Sequence, residues 1–170
     1  SQSVYYPSEI NAQGIAMIKR IGWIYDGNGL TDRTNPVDVK IYLAHTDMTS
    51  FDNKSADKIA DDERELVAEG QIVFEPGADH IVSFTLDTPF EYNKEQNLAV
   101  ICEKSGSTGV DFCALWHMFH TTWQDPVVYR TLLKTDTWDV YPSLPVLYLG
   151  IYDATGVERV QLMGGDMAYA

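Results

Sequence analysis

The segment VDVKIYLAH, residues 37–45, shows most clearly the side-chain pattern that indicates the fold class of this chain. Apolar side chains stand at every second position of the segment, namely Val37, Val39, Ile41 and Leu43. Asp38, Lys40 and Tyr42 take the positions between them. A period of two is typical of a strand with one face in a core and the other in solvent. The segment therefore predicts a half-buried β-strand.

The same period extends over most of the chain. HIVSFTLD, residues 80–87, directs Val82, Phe84 and Leu86 to one face, and NLAVICE, residues 97–103, is apolar on both faces, which indicates a central strand. Further β-branched or aromatic runs are AMIKRIGWIY, GQIVFEPG and PVLYLGIY. Turn-forming residues separate these runs. Many short strands at regular spacing predict an all-β fold, an antiparallel sandwich or barrel.

Two segments differ from this pattern. Residues 55–68, SADKIADDERELVA, predict a solvated excursion between strands, helical or irregular near 55–66, with Ile59 and Leu66 as its anchors. We expect one β-sandwich domain over residues 1–152 and a C-terminal strand or linker segment over 153–170. In that segment VERVQLM predicts a last strand, and residues 164–170 predict a linker that needs a neighbour to be ordered.

Charge narrows the range of partners. The chain has 170 residues, with 25 acidic and 12 basic side chains, and its net charge is −13. Such a chain repels phosphate backbones and anionic membrane surfaces, so we expect no nucleic-acid partner. No apolar run approaches the length of a membrane-spanning helix, so we expect no membrane insertion. The opening SQSVYYPSEI has neither the basic start nor the apolar region of a signal peptide.

The two cysteines, Cys102 and Cys113, suggest a specific pairing. If residues 97–103 and 110–116 form a hairpin about KSGSTG, the two thiols lie directly opposite each other. A disulfide is then possible, and two buried thiols in a core hairpin are the alternative.

The densest aromatic segment is ALWHMFHTTW, residues 114–123. In a helix His117 and His120 would share a face and could bind zinc, whereas in a strand they point to opposite faces. The β-favouring residues around them predict a strand, so we expect no metal at this pair.

Aromatic side chains beside polar ones suggest a ligand site on adjacent loops. A flat ring can receive the apolar face of a sugar while amides or carboxylates bind its hydroxyls. The candidate ligand-binding residues are Trp123, Gln124, Asp125, Trp138 and Tyr141. The alternative is that these large side chains anchor the loops.

Catalytic motifs are weak in this sequence. It contains no GxSxG, no phosphate-binding loop and no dinucleotide fingerprint, so we expect no enzyme. DGNG, with Asp26 and Asn28, is half of a calcium-loop pattern, and a tight hairpin turn is the alternative. We expect no cofactor, with calcium as the one possible exception.

Three segments occur in order: YYPSEINAQGIAMIKRIGWIY, VDVKIYLAHTDMTSFDN and LVAEGQIVFEPGADHIVSFTLDTPFEYNKEQNLAVICE. Together with Tyr129-Arg130 and LPVLYLGIY, they resemble a β-sandwich module of secreted and cell-surface, adhesin-like proteins of Bacteroidetes. The resemblance covers about residues 4–152. It implies a jelly-roll-like sandwich, and an extracellular or cell-surface location.

Within these signatures, side chains of HTDMTSF should cap a turn, and Phe51 should pin that loop to the core. In LDTPFEY, Pro89 should end a strand while Phe90 and Tyr92 turn inward. The loop after TSF lacks the aromatic residue usual in the family, and residues 112–123 are more aromatic than its pattern.

These observations favour a non-catalytic module that acts in adhesion or carbohydrate binding. Its partners would be glycans, or host or surface proteins. The first alternative is a structural building block of a fibre or a virion-type assembly, in contact with neighbouring domains or subunits. The second is an accessory domain of a secreted hydrolase.

Overall fold

The computed structural model describes residues 1–12, 16–52, 54–105, 118–120, 127–134, 136–152 and 158–163. Within these residues nearly all regular structure is β-strand, and the strands pair antiparallel. Two large sheets enclose one core between them. The predicted all-β antiparallel sandwich is therefore confirmed.

In chain order the strands are β1 (Gln2–Tyr5), β2 (Ala16–Gly27), β3 (Val37–Thr46), β4 (Glu65–Ile72), β5 (Gly77–Tyr92), β6 (Asn97–Lys104), β7 (Met118–His120), β8 (Thr131–Lys134), β9 (Trp138–Tyr141), β10 (Ser143–Pro145), β11 (Leu147–Tyr152) and β12 (Glu158–Met163). The six-stranded sheet has the order β4-β3-β6-β1-β8-β9, and the four-stranded sheet has the order β12-β11-β2-β5. β7 pairs with β10.

Helical structure in the described residues is limited to single turns. The helix α1 (Pro7–Ile10) follows β1, and a 3₁₀ turn spans Lys54–Asp57. Neither comes near the length and apolarity that a helix needs to cross a bilayer.

The core lies between the inner faces of the two sheets. On β3 the predicted alternation is observed, because all four apolar residues are buried while Asp38 and Lys40 are exposed. The facing sheet contributes side chains of β2 and β11, namely Ile18, Ile21, Trp23, Leu147, Leu149 and Ile151. Burying each such side chain contributes roughly 1.5–3 kcal/mol, so this interface holds the sheets together.

β6 is a central strand, as its sequence predicts. Leu98 and Val100 face the core, while Ala99 and Ile101 belong to a buried cluster on the outer face. β1 pairs with one edge of β6 and β3 with the other. The hairpin predicted between residues 97–103 and 110–116 is therefore wrong, since no edge of β6 is left along residues 98–101. Cys102 is buried opposite Ile41, and Cys113 lies outside the described residues.

The excursion after β3 covers the outer face of the six-stranded sheet. Phe51 is fully buried against Val4 and Leu132, which confirms it as the predicted anchor. Ile59 is buried, and its backbone N–H donates to Gln2 Oε1 at 2.8 Å. The second predicted anchor is wrong: Leu66 is 44% exposed, because β4 begins at Glu65 and Leu66 faces outward on it.

The prediction that Pro89 ends a strand is also wrong. β5 continues through it to Tyr92. Pro89 lies where the β2–β5 register shifts, between the pairs Thr85–Arg20 and Phe90–Ile18. β5 is an edge strand of its sheet, and proline is tolerated at edges and bulges because the missing N–H is not needed there. Phe90 and Tyr92 are buried, as predicted.

The strand predicted in VERVQLM is observed as β12. It pairs with β11 from Tyr152↔Glu158 to Leu147↔Met163, so the sheet extends past residue 152, where the domain was expected to end. Residues 164–170 lie outside the described residues.

Candidate functional site

A buried ion pair joins Glu9 of α1 to Arg130, the residue immediately before β8. Arg130 is 1% exposed, and its Nη1 and Nη2 donate to Glu9 Oε1 and Oε2, each at 2.6 Å. Nε and Nη2 also donate to the Val4 carbonyl, at 3.0 and 2.6 Å. The guanidinium carbon lies 3.6 Å from the Tyr6 ring centroid. The arrangement crosslinks β1 and α1 to Arg130, the residue that precedes β8.

Local structure positions Glu9 for this role. Pro7 is at the first position of α1, where its fixed φ suits the helix and its missing N–H costs nothing. The Tyr6 N–H donates to Glu9 Oε2 at 2.7 Å. Burial raises the pKa of Tyr6, partly opposed by the positive charge of Arg130. Because every group here is already paired within the protein, we regard the cluster as structural.

The predicted ligand residues do not converge in the described part of the chain. Trp138 and Tyr141 lie at the two ends of β9 rather than on loops, and an odd separation along a strand places them on opposite faces. Trp138 packs against the outer cluster that contains Phe51, which agrees with an anchoring role. Tyr141 is 40% exposed. Trp123, Gln124 and Asp125 lie outside the described residues.

The calcium candidates form a turn. Asp26 Oδ1 accepts a hydrogen bond from the Asn28 N–H at 2.8 Å, and Leu30 N–H donates to the Gly27 carbonyl at 2.9 Å. This is not a hairpin turn, since β2 and β3 belong to different sheets. No group of three or more His, Cys, Asp or Glu among the described residues is placed to hold a metal ion.

His45 and His80 have structural partners. His80 Nε2 lies 3.1 Å from the Pro76 carbonyl oxygen, and its ring stacks on Tyr25. His45 Nε2 accepts a hydrogen bond from the Asn93 N–H at 3.1 Å. His120 belongs to β7, as the strand prediction requires, and His117 lies outside the described residues.

His45 should make stability depend on pH. Burial lowers its pKa from 6.5, opposed by Glu65 and by a hydrogen bond to the Glu91 backbone. The folded state thus binds this proton less tightly than the unfolded state. The contribution is fully present above pH 6.5 and is lost as pH falls through the folded pKa.

Urea unfolding at pH 7.5 and pH 5 measures this effect. His45→Gln keeps an acceptor for the Asn93 N–H but does not titrate, so we expect it to lose less stability than the parent between these pH values. An equal loss in both proteins would show that carboxylates alone cause the dependence.

A polar groove of about 530 Å³ crosses β3, β4 and β6. Its side chains pair with one another: Lys40 Nζ lies 2.7 Å from Glu69 Oε1, and Gln71 Nε2 donates to Asp38 Oδ1 at 2.7 Å. A hydrogen bond to Glu69 raises the pKa of Lys40. None of the described residues that line the groove is aromatic, so it offers a sugar ring no flat apolar surface.

The outer face of the four-stranded sheet, unlike the groove, has aromatic rings on its surface. On β11 the residues Leu147, Leu149 and Ile151 point into the core, so Tyr148, Gly150 and Tyr152 point away from it. Both tyrosines are half-buried. They are about 13 Å apart along the strand, at roughly 3.3 Å per residue. We call the surface around these three residues the tyrosine face.

On the side of β2 and β5, the residues next to Tyr148 are small or hydroxylic, whereas its direct partner on β12 is Leu162. Its direct partner on β2 is Gly22. A Cβ at Gly22 would lie 2.3 Å from the Val82 carbonyl oxygen, so the close approach of β5 requires glycine there. Ser83 and Thr85 of β5 are exposed beyond Gly22 and Arg20. At the other end of the face, Lys19 Nζ lies 4.4 Å from the Tyr152 ring centroid.

The tyrosine face is not among the sites predicted from the sequence, although the alternation of side chains in PVLYLGIY indicates it. The β-branched and aromatic run PVLYLGIY predicts a strand but by itself no binding surface. Its period of two already separates the tyrosines from the core-facing residues. The sequence of β11 does not indicate which residue pairs with Tyr148. In the structure that residue is Gly22 of β2, so no side chain occupies the position beside Tyr148 on that strand.

Comparison with known proteins identifies no relative: no protein-family model, curated protein or solved structure matches this chain. Support for a function therefore comes from the tyrosine face and from the sequence resemblance.

Proposed function

We propose that this domain is a non-catalytic carbohydrate-binding or adhesion module and that the tyrosine face is its contact surface. The observation that carries the proposal is the placement of Tyr148, half-buried on the outer face of the sheet beside Gly22. A half-buried tyrosine keeps its orientation because its neighbours restrict it, so stacking on a ligand costs little additional entropy.

The side chains of the tyrosine face suit the binding of a sugar. An aromatic ring stacks on the apolar face of a pyranose, while nearby hydroxyl groups exchange hydrogen bonds with those of the sugar. Ser83 and Thr85 provide such hydroxyls at the exposed edge. The resemblance to adhesin-like modules supports the same function and an extracellular or cell-surface setting. No metal is needed for this mode of binding.

A glycan array tests the proposal. We expect reproducible binding by the parent, with Tyr148→Ala weakening it by about tenfold or more, as for tyrosines at the centre of other interfaces. Tyr141→Ala is the matched control, since Tyr141 is an exposed tyrosine in the other sheet.

Two other outcomes would contradict the proposal. A blank array for the folded parent would reject carbohydrate binding and favour the assembly alternative, which light scattering over a concentration series would then measure. Binding that survives Tyr148→Ala but is lost on Lys40→Ala would move the site to the polar groove.

A further inference from the structure

We infer that Asn28 is a modification site, where the side-chain amide is converted to a carboxylate through a cyclic imide formed with the backbone nitrogen of Gly29. The site is the turn DGNG, residues 26–29, and it is independent of what the tyrosine face binds. The inference is carried by the exposure of both reacting groups, neither of which has a hydrogen-bond partner in the described part of the chain.

The chemistry needs only water. The Gly29 nitrogen loses its proton and attacks Asn28 Cγ, so that a new C–N bond closes a succinimide ring. The side-chain nitrogen leaves as ammonia and takes that proton with it. Water then adds to either carbonyl of the ring and opens it, to aspartate or to isoaspartate at position 28. A Cβ on the residue that supplies the nitrogen would crowd the ring, so glycine favours closure.

The turn leaves the reacting pair accessible. The Leu30 N–H donates to the Gly27 carbonyl at 2.9 Å, which closes a β-turn with Asn28 and Gly29 at its centre. Both central residues are exposed, and a Cβ at Gly29 would meet no atom within 4 Å. Asp26 Oδ1 accepts a hydrogen bond from the Asn28 N–H, which takes no part in ring closure. Within the described ranges the Asn28 side chain and the Gly29 N–H have no partner.

Other asparagines differ in both respects. Asn28 is the one asparagine of the sequence that precedes a glycine. Asn97 Nδ2 donates to the Met48 carbonyl at 2.8 Å, and Asn93 Nδ2 donates to Gln96 Oε1 at 2.9 Å. These bonds hold the side-chain amides away from the following nitrogen. The next residue after each of these two asparagines also has a Cβ. We therefore expect the conversion at Asn28 first.

Isoaspartate at position 28 should loosen the turn. Its main chain runs through the former side chain, which lengthens the backbone inside the turn and removes the geometry of the Leu30–Gly27 hydrogen bond. Leu30 is half-buried and packs against the cluster that contains Tyr25 and Phe74. We expect the isoaspartate form, isolated by ion exchange, to unfold at lower urea than Asn28→Asp, which has the same charge and an ordinary backbone.

Incubation of the folded protein at mildly alkaline pH, followed by peptide mapping with mass spectrometry, tests the inference. We expect an amide-to-acid mass change in the peptide that contains Asn28, and labelling of that peptide by an isoaspartate-specific methyltransferase. Asn28→Gln should remove both signals. Gly29→Val should slow the change by about tenfold or more, because a branched side chain at the attacking nitrogen raises the barrier to ring closure. The peptide that contains Asn97 is the internal control.

Two results would overturn the inference. The first is conversion of Asn28 no faster than that of Asn97 in the same sample. The second is conversion in the folded protein more than about a hundredfold slower than in a free peptide of residues 24–33, because the turn would then hold the reacting groups apart. Gly29→Ala replaces Gly29→Val if the valine variant melts at a lower temperature than the parent.

Discussion

Replacing Arg130 with methionine is expected to lower the free energy of unfolding by about 3 kcal/mol, because it breaks a buried ion pair by removing one partner. The Glu9 carboxylate loses both of its guanidinium hydrogen bonds, and the Val4 carbonyl loses two donors. Glu9 keeps some access to water, with 24% of its side chain exposed, which places the loss at the lower end of the usual range. Urea unfolding followed by tryptophan fluorescence measures it.

A double-mutant cycle separates the pair from the rest of the network. Glu9→Gln/Arg130→Met should cost less than the sum of its two single variants, because each single change leaves one unpaired group. Arg130→Lys should rescue little, since an ammonium cannot reproduce the two parallel hydrogen bonds. Lys134→Met, at an exposed position of β8, should change stability by no more than about 0.5 kcal/mol. A loss below about 1 kcal/mol for Arg130→Met would contradict the structural role, since that is the range of surface pairs.

The second large effect is expected for Phe51→Ala. The substitution should lower the free energy of unfolding by about 3 kcal/mol, because it leaves a cavity in the protein. Phe51 packs on Val4 of β1 and Leu132 of β8, on the outer face of the six-stranded sheet. Its N–H also donates to the Tyr129 carbonyl at 2.8 Å, a bond that alanine can keep. The loss therefore reports the side chain alone. Trp138, which packs against the same cluster, should show a shifted fluorescence emission.

Leu66→Ala is the matched control for Phe51→Ala. Both residues belong to the region that follows β3, but Leu66 is 44% exposed while Phe51 is fully buried. We expect the change at Leu66 to alter stability by no more than about 0.5 kcal/mol. Comparable losses at the two positions would mean that the excursion is not anchored through Phe51.

The candidate site could be predicted only in part. The ligand set predicted from the sequence places Trp138 and Tyr141 on adjacent loops, whereas the structure has them at the two ends of β9, on opposite faces of the strand. The tyrosine face, in contrast, depends on which strands are neighbours. Gly22 and Tyr148 are far apart in sequence and meet only because β2 and β11 pair.

The fold class and the inward residues of most strands follow from the local sequence, because a period of two is a property that each strand has before it pairs with another. The pairing partners of those strands, in contrast, are set by the tertiary structure. It filled both edges of β6, so the local hairpin could not form. It also used Glu9 to compensate the buried charge of Arg130, although 121 positions separate them. Pairing between distant segments depends on the whole arrangement of the sheets, which no local pattern of side chains contains.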